Sequence, residues 1–225
     1  MPTDAASQWR RSTLHDDRRH HRNGAHHWQD HAQSGQADPG PADVHWLEAV
    51  FGQYSPMTTL VVLDEGESIS FSFEDLLKYH GRSSIAGVAH AFKAMERAFP
   101  LLSPGGPPER SDITVESGFP GGGARDAFEM VARAVTGDRY RLASEPAGVE
   151  APEAPGGHFF FRLGYRERVV ELVARADLVP AEFLQFACKE SPTPAEAVRA
   201  QQLKEEMAQR LLSLPAGEVY DASLR

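Results

Sequence analysis

Between residues 84 and 99 the apolar side chains Ile85, Val88, Ala89, Phe92, Met95 and Phe99 recur at helical spacing, and strand-like segments flank this stripe on both sides. Upstream, residues 58–63 are β-branched and apolar, Asp64-Glu65-Gly66 reads as a turn, and Ile69, Phe71 and Phe73 occupy one face of an alternating segment. The two segments predict a hairpin. Downstream, Ile113-Thr114-Val115 reads as a strand, and residues 158–163 and 169–173 as an antiparallel hairpin turning at Gly164. Further helices are expected over 73–79, 124–135, 180–187 and 194–214. In the central helix Ser84 is the expected cap and Pro100 the expected stop. Strands and helices mix without strict βαβ alternation, so the expected class is α+β, a mixed sheet packed with helices, rather than doubly wound α/β.

One cysteine, Cys188, in 225 residues rules out an intrachain disulfide and fits a reducing compartment. No apolar run approaches the roughly 20 residues that span a bilayer, and the arginine-bearing N-terminus lacks an apolar core like that of a secretory signal. The expected location is cytoplasmic, with no membrane partner. A net charge of −9 argues against a nucleic-acid partner, which requires a basic face.

Residues 1–42 are almost devoid of aliphatics and read as a disordered arm, because they cannot bury enough apolar surface to offset their ordering entropy. The arm carries six of the ten histidines (His15, His20, His21, His26, His27 and His31). Clustered imidazoles bind transition metals, which makes a metal carrier one reading of the chain. Residues 43–225 form a single expected domain, with Asp43 capping an amphipathic helix over 44–51.

Chemistry concentrates at Tyr79-His80-Gly81-Arg82-Ser83-Ser84, where a short amphipathic segment meets the long apolar helix. His80 is the side chain most easily tuned across neutral pH, Arg82 can clamp a carboxylate or phosphate, and Ser83 and Ser84 add hydroxyls. A glycine-rich loop (Gly118, Gly121, Gly122, Gly123) precedes the 124–135 helix and can cradle an anion with its N–H groups. It is neither a Walker A loop nor a dinucleotide fingerprint. His158 opens a strand and could face the same pocket. His90 reads as a partly buried, hydrogen-bonded histidine, and Cys188 as a small core residue.

The segment from Tyr79 to Gly87 resembles the opening motif of the FmdE domain family, named for a component of formylmethanofuran dehydrogenase: an aromatic, His-Gly-His and a nearby cysteine, entering an apolar helix. His80 and Gly81 match, Arg82 stands at the second histidine and Ser84 at the cysteine. Gly123-Ala124-Arg125-Asp126-Ala127 resembles the family's Cys-x-x-Asp-Ala segment, with Gly123 replacing the cysteine. Thr136-Gly137, the Phe-rich strand at 159–161 and the closing segment 211–220 resemble later family features. The resemblance covers about residues 70–220. It implies a fold shared with the catalytic domain of glyceraldehyde-3-phosphate dehydrogenase, a homodimer, and a metal site, usually zinc, at the histidine corner.

Of that ligand set only His80 and Asp126 survive, and a tetrahedral zinc site needs three or four ligands. Arg82 would put a cation where the metal belongs. The expectation is therefore an FmdE-like small-molecule enzyme or cofactor-binding protein. His80 serves as acid/base or as ligand to zinc or haem, Arg82 holds an anionic small molecule, Asp126 orients His80, and Ser83, Ser84, Gly122, Gly123 and His158 complete the pocket. A non-catalytic accessory protein that keeps the fold without the metal is the alternative.

Overall fold

The computed structural model describes residues 58–143, 150–187, 189 and 191–225. The arm at 1–42, the expected helix over 44–51 and Cys188 lie outside them. The expected first hairpin is present as β1 (Leu60–Asp64) and β2 (Glu67–Phe71), antiparallel with Val62 opposite Ile69. Phe73 belongs not to that hairpin but to helix α1 (Phe73–His80), because Ser72 and Asp75 form a capping box that starts the helix there.

Helix α2 (Ile85–Leu102) follows, and its stripe is buried as the spacing requires: Val88, Ala89 and Met95 are fully buried, Phe92 nearly so. Pro100 does not end it. The ring removes one N–H, yet Phe99 and Leu102 are buried in the core and hold the last turn helical, closed by the Ser103 N–H on the Phe99 carbonyl at 2.9 Å.

The central sheet contains β3 (Ile113–Ser117), β4 (Tyr140–Leu142), β7 (Phe160–Tyr165), β8 (Arg168–Ala174) and β9 (Tyr220–Leu224), in the order β4-β3-β7-β8-β9. β3 and β4 are parallel and the remaining pairs antiparallel, so the sheet is mixed. A two-residue pair, β5 (Glu153–Ala154) and β6 (Gly157–His158), stands apart from it. Gly164 is not a turn. It pairs with Thr114 and Val169 inside β7, and the chain reverses at Arg166, whose φ is +54°. A Cβ at Gly164 would lie 2.4 Å from the Thr114 hydroxyl, so the residue is needed for close strand approach.

Cross-strand register divides the sheet into two faces. Val115, Leu163 and Val170 lie side by side and turn toward the helices, as do Phe161 and Leu172. Burying each of these large side chains stabilises the fold by roughly 1.5–3 kcal/mol. The other face carries a charge ladder in which Arg162 stands between Glu116 and Glu171, with Glu171 2.7 Å away and buried. Hydrogen bonding to Glu171 raises the Arg162 pKa, and the Arg225 guanidinium closes on the other Glu171 oxygen at 2.6 Å. Three strands, β4, β5 and β9, differ from the sequence expectation, which places residues 153–154 in a loop. β4 is three residues long, and β9 is a half-exposed edge, so neither carries a clear periodic signal.

Helix α3 (Gly122–Ala132) packs on α2, while α4 (Ala181–Ala187) and the long α5 (Pro194–Ser213) close the same side; a single turn, α6 (Ala216–Val219), leads into β9. Pro194 at the first turn and a Thr193–Glu196 capping box start α5 where the sequence indicates. Among the described residues no helix is long and apolar enough to cross a membrane.

Candidate functional site

His80 is the last residue of α1. The helix stops there because Gly81 adopts φ +87°, a conformation that side-chain-bearing residues rarely take, and returns its N–H to the Leu77 carbonyl at 2.7 Å. The break leaves the imidazole beside the first turn of α3. Its Nδ1 lies 2.8 Å from Asp126 Oδ2, a contact across 46 residues of chain. The His80 side chain is 11% exposed and that of Asp126 31%. An ionised carboxylate can only accept, so Nδ1–H donates to Asp126, and the tautomer this contact selects carries its lone pair on Nε2. That Nε2 is buried and has no hydrogen-bond partner among the described residues. Arg125, not Arg82, is the cation beside this pair, with its guanidinium 3.4 Å from Asp126 Oδ1.

The glycine-rich loop meets the corner at two points. A Cβ on Gly122 would sit 3.7 Å from His80 Cε1, and one on Gly123 would come within 2.4 Å of the Ser84 carbonyl oxygen and 3.0 Å of the Val88 nitrogen. Gly87 faces the same crossing, its Cβ direction ending 3.2 Å from the Ala124 nitrogen. α2 and α3 therefore cross with backbones nearly touching, and this close approach brings the α1–α2 corner to the first turn of α3. Ser84 occupies the N-cap position of α2, but its hydroxyl makes no capping bond.

Arg82 and Ser83 are exposed, and α5 is fastened to their backbone: Gln201 donates to the Arg82 carbonyl at 3.2 Å and Lys204 Nζ to the Ser83 carbonyl at 2.9 Å. Beside them lies a cavity of about 380 Å³. Ser84, Ala86 and Gly87 line it together with Gly121 and Gly123, and four phenylalanines, Phe119, Phe159, Phe183 and Phe186, contribute to its apolar surface. His80, Arg82 and His158 are not among its lining residues. His158 lies in β6 opposite Glu153, with its N–H on the Gly118 carbonyl at 2.9 Å. The structure thus joins His80, Asp126 and Gly122 in one place and Ser84 and Gly123 in the adjoining cavity.

His90 is fully buried behind that cavity. Its ring stacks on Phe159 with centroids 4.4 Å apart, and Nδ1 is 2.7 Å from the Tyr220 hydroxyl. Burial pushes its pKa down to about 3, so it is neutral, and its Nε2 has no partner among the described residues. Sequence reasoning did not find Lys189 and Lys204, which also line the cavity. Nothing in the charged, amphipathic 194–214 segment distinguishes a cavity lysine from a solvated one.

The donor set does not fit a zinc ion. His80 Nδ1 is engaged by Asp126, the neighbouring Arg82, Ser84 and Gly123 offer no imidazole, thiolate or carboxylate, and a side chain at Gly123 has no room. Among the described residues no group of three or more His, Cys, Asp or Glu side chains is placed to hold a metal. For haem ligation through His80, the neighbouring cavity does not include that ring among its lining residues. Comparison with known protein families and with characterised proteins finds no match to this chain.

Proposed function

We propose that the chain is an FmdE-like domain that has given up the family's metal and acts on a small molecule at the histidine corner. His80 Nε2 serves as proton acceptor, and Asp126 is the positioning residue that fixes its tautomer. The observation that carries this reading is the 2.8 Å His80–Asp126 contact, which leaves a buried Nε2 without a partner among the described residues. His90 also leaves its Nε2 unpartnered among the described residues, but that ring is fully buried and stacked on Phe159, whereas the His80 side chain is 11% exposed and held by a carboxylate. The family resemblance gains support from convergence: its two separate motifs, the His-Gly corner and the Asp-Ala segment, pack against each other around His80 and Asp126. In this reading the exposed Arg82 supplies positive charge near the mouth rather than a clamp inside.

The test is to incubate the full chain with a cell-extract metabolite mixture and follow by mass spectrometry which compounds are consumed. Wild type should convert at least one anionic compound. His80→Ala should slow that conversion by about 10²–10⁴-fold, the usual contribution of a positioned acid or base, with an unchanged circular dichroism spectrum. Asp126→Asn should slow it less and alter its pH profile, because the amide no longer dictates the tautomer. Conversion at an undiminished rate in His80→Ala would refute the assignment. A non-catalytic binding protein is the second reading, favoured by the absence of His80 from the cavity lining. It predicts a compound retained by wild type and recovered unchanged.

A further inference from the structure

The cavity beside the corner has a charge opposite to that of the molecule around it. The chain carries a net charge of −9, yet among the described residues the lining includes Lys189 and Lys204 and no carboxylate. Lys189 is already committed, its ammonium 2.8 Å from both oxygens of Glu196. Lys204 is not: its partner is the neutral Ser83 carbonyl. An ammonium has three donors, so the charge of Lys204 and two of its N–H groups are left for another acceptor. Ser84 lines the same cavity with a hydroxyl unused in capping. The rest of the surface is phenylalanine, proline, alanine and glycine.

We propose that this cavity binds an amphiphilic carboxylate, with its apolar or aromatic body among Phe119, Phe159, Phe183 and Phe186 and its carboxylate on Lys204 and the Ser84 hydroxyl. The volume of about 380 Å³ accommodates about a dozen non-hydrogen atoms at ~30 Å³ each. The opposite orientation is unfavourable, because it would desolvate an anion against aromatic rings while leaving the ammonium unpaired. A neutral apolar ligand would likewise leave Lys204 unmatched. The cavity adjoins the histidine corner without including His80, so the assignment rests on the reading above for any turnover, whereas binding itself needs only the cavity.

Isothermal titration calorimetry on the full chain separates these elements, with naphthalene-2-carboxylate as the probe and the same-shaped naphthalene-2-carboxamide as its neutral control. The carboxylate should bind at least about tenfold more tightly, the value of one charge-assisted hydrogen bond. Lys204→Met should remove that preference by weakening the carboxylate alone, and Lys204→Gln should do the same if the first variant folds poorly. Ala200→Phe, which fills the cavity from α5, should weaken both probes by about tenfold or more. Calorimetry reads binding without turnover, so a failed acid/base assignment (undiminished conversion by His80→Ala) and a failed ligand assignment (equal affinity for the two probes) give different results. Equal affinity for the two probes, indifference to Lys204→Met, binding that survives Ala200→Phe, or no binding of either probe at about 1 mM would each overturn the proposal.

Discussion

Acidification from about pH 7 to pH 4.5 should destabilise the fold by roughly 2–3 kcal/mol, and His90→Gln should abolish most of that dependence. His90 is fully buried against Phe159 and Tyr220, and burial lowers its pKa from 6.5 to about 3. In the unfolded chain the imidazole takes up a proton below about pH 6.5, while in the folded chain it does not until about pH 3. Between those limits the unfolded state binds more protons, so stability rises with pH. The contribution is fully present above pH 6.5 and is lost as pH falls toward 3, where the loss reaches ~5 kcal/mol at 1.36 kcal/mol per unit. The other lowered acids, Asp75, Glu129, Glu182 and Glu196, have ordinary values of 3.8 to 4.5, so their losses set in mainly at the acid end of this window. Urea denaturation at several pH values is the measurement. A His90→Gln variant with the same pH slope as wild type would place the titration elsewhere.

Restoring the cysteine expected from the family resemblance, Gly123→Cys, should destabilise the protein without creating a zinc site. The new Cβ would stand 2.4 Å from the Ser84 carbonyl oxygen and 3.0 Å from the Val88 nitrogen, and both are backbone atoms of the α2 start that cannot rotate away. Relief requires α2 and α3 to separate. Overpacking of this kind costs about 1–3 kcal/mol, here with a second consequence. His80 is held by the corner before α2 and Asp126 by α3, so separation should lengthen their 2.8 Å contact. The expected results are a lower melting temperature, no zinc retained after dialysis, and loss of the Asp126-bonded His80 Nδ1 proton signal in NMR. Stoichiometric zinc with unchanged stability would contradict the packing argument. Gly123→Ala should show the same destabilisation without any thiol chemistry.

At the corner, Gly123 allows two helix backbones to meet at a distance that leaves no space for a side chain. What remains is a histidine whose orientation is set by a carboxylate, next to an apolar chamber with an uncommitted ammonium.

Local pattern alone determined the elements themselves. Period-two alternation marked β2, helical spacing marked the stripe of α2, and Pro194 marked the start of α5, because each signal is encoded within a few neighbouring residues. The pairing of His80 with Asp126 was also legible, since residue chemistry and motif order pointed to both. Tertiary structure decided the rest. Lys204 reaches the corner from about 120 residues away, Arg82 faces solvent instead of the pocket, and Pro100 is absorbed into a helix that the core holds closed. Gly164 lies inside β7, paired with Thr114 on one side and Val169 on the other. Each outcome depends on which surfaces meet across the sheet and between helices. Burial and close approach are set by those long-range contacts, and no window of sequence contains them.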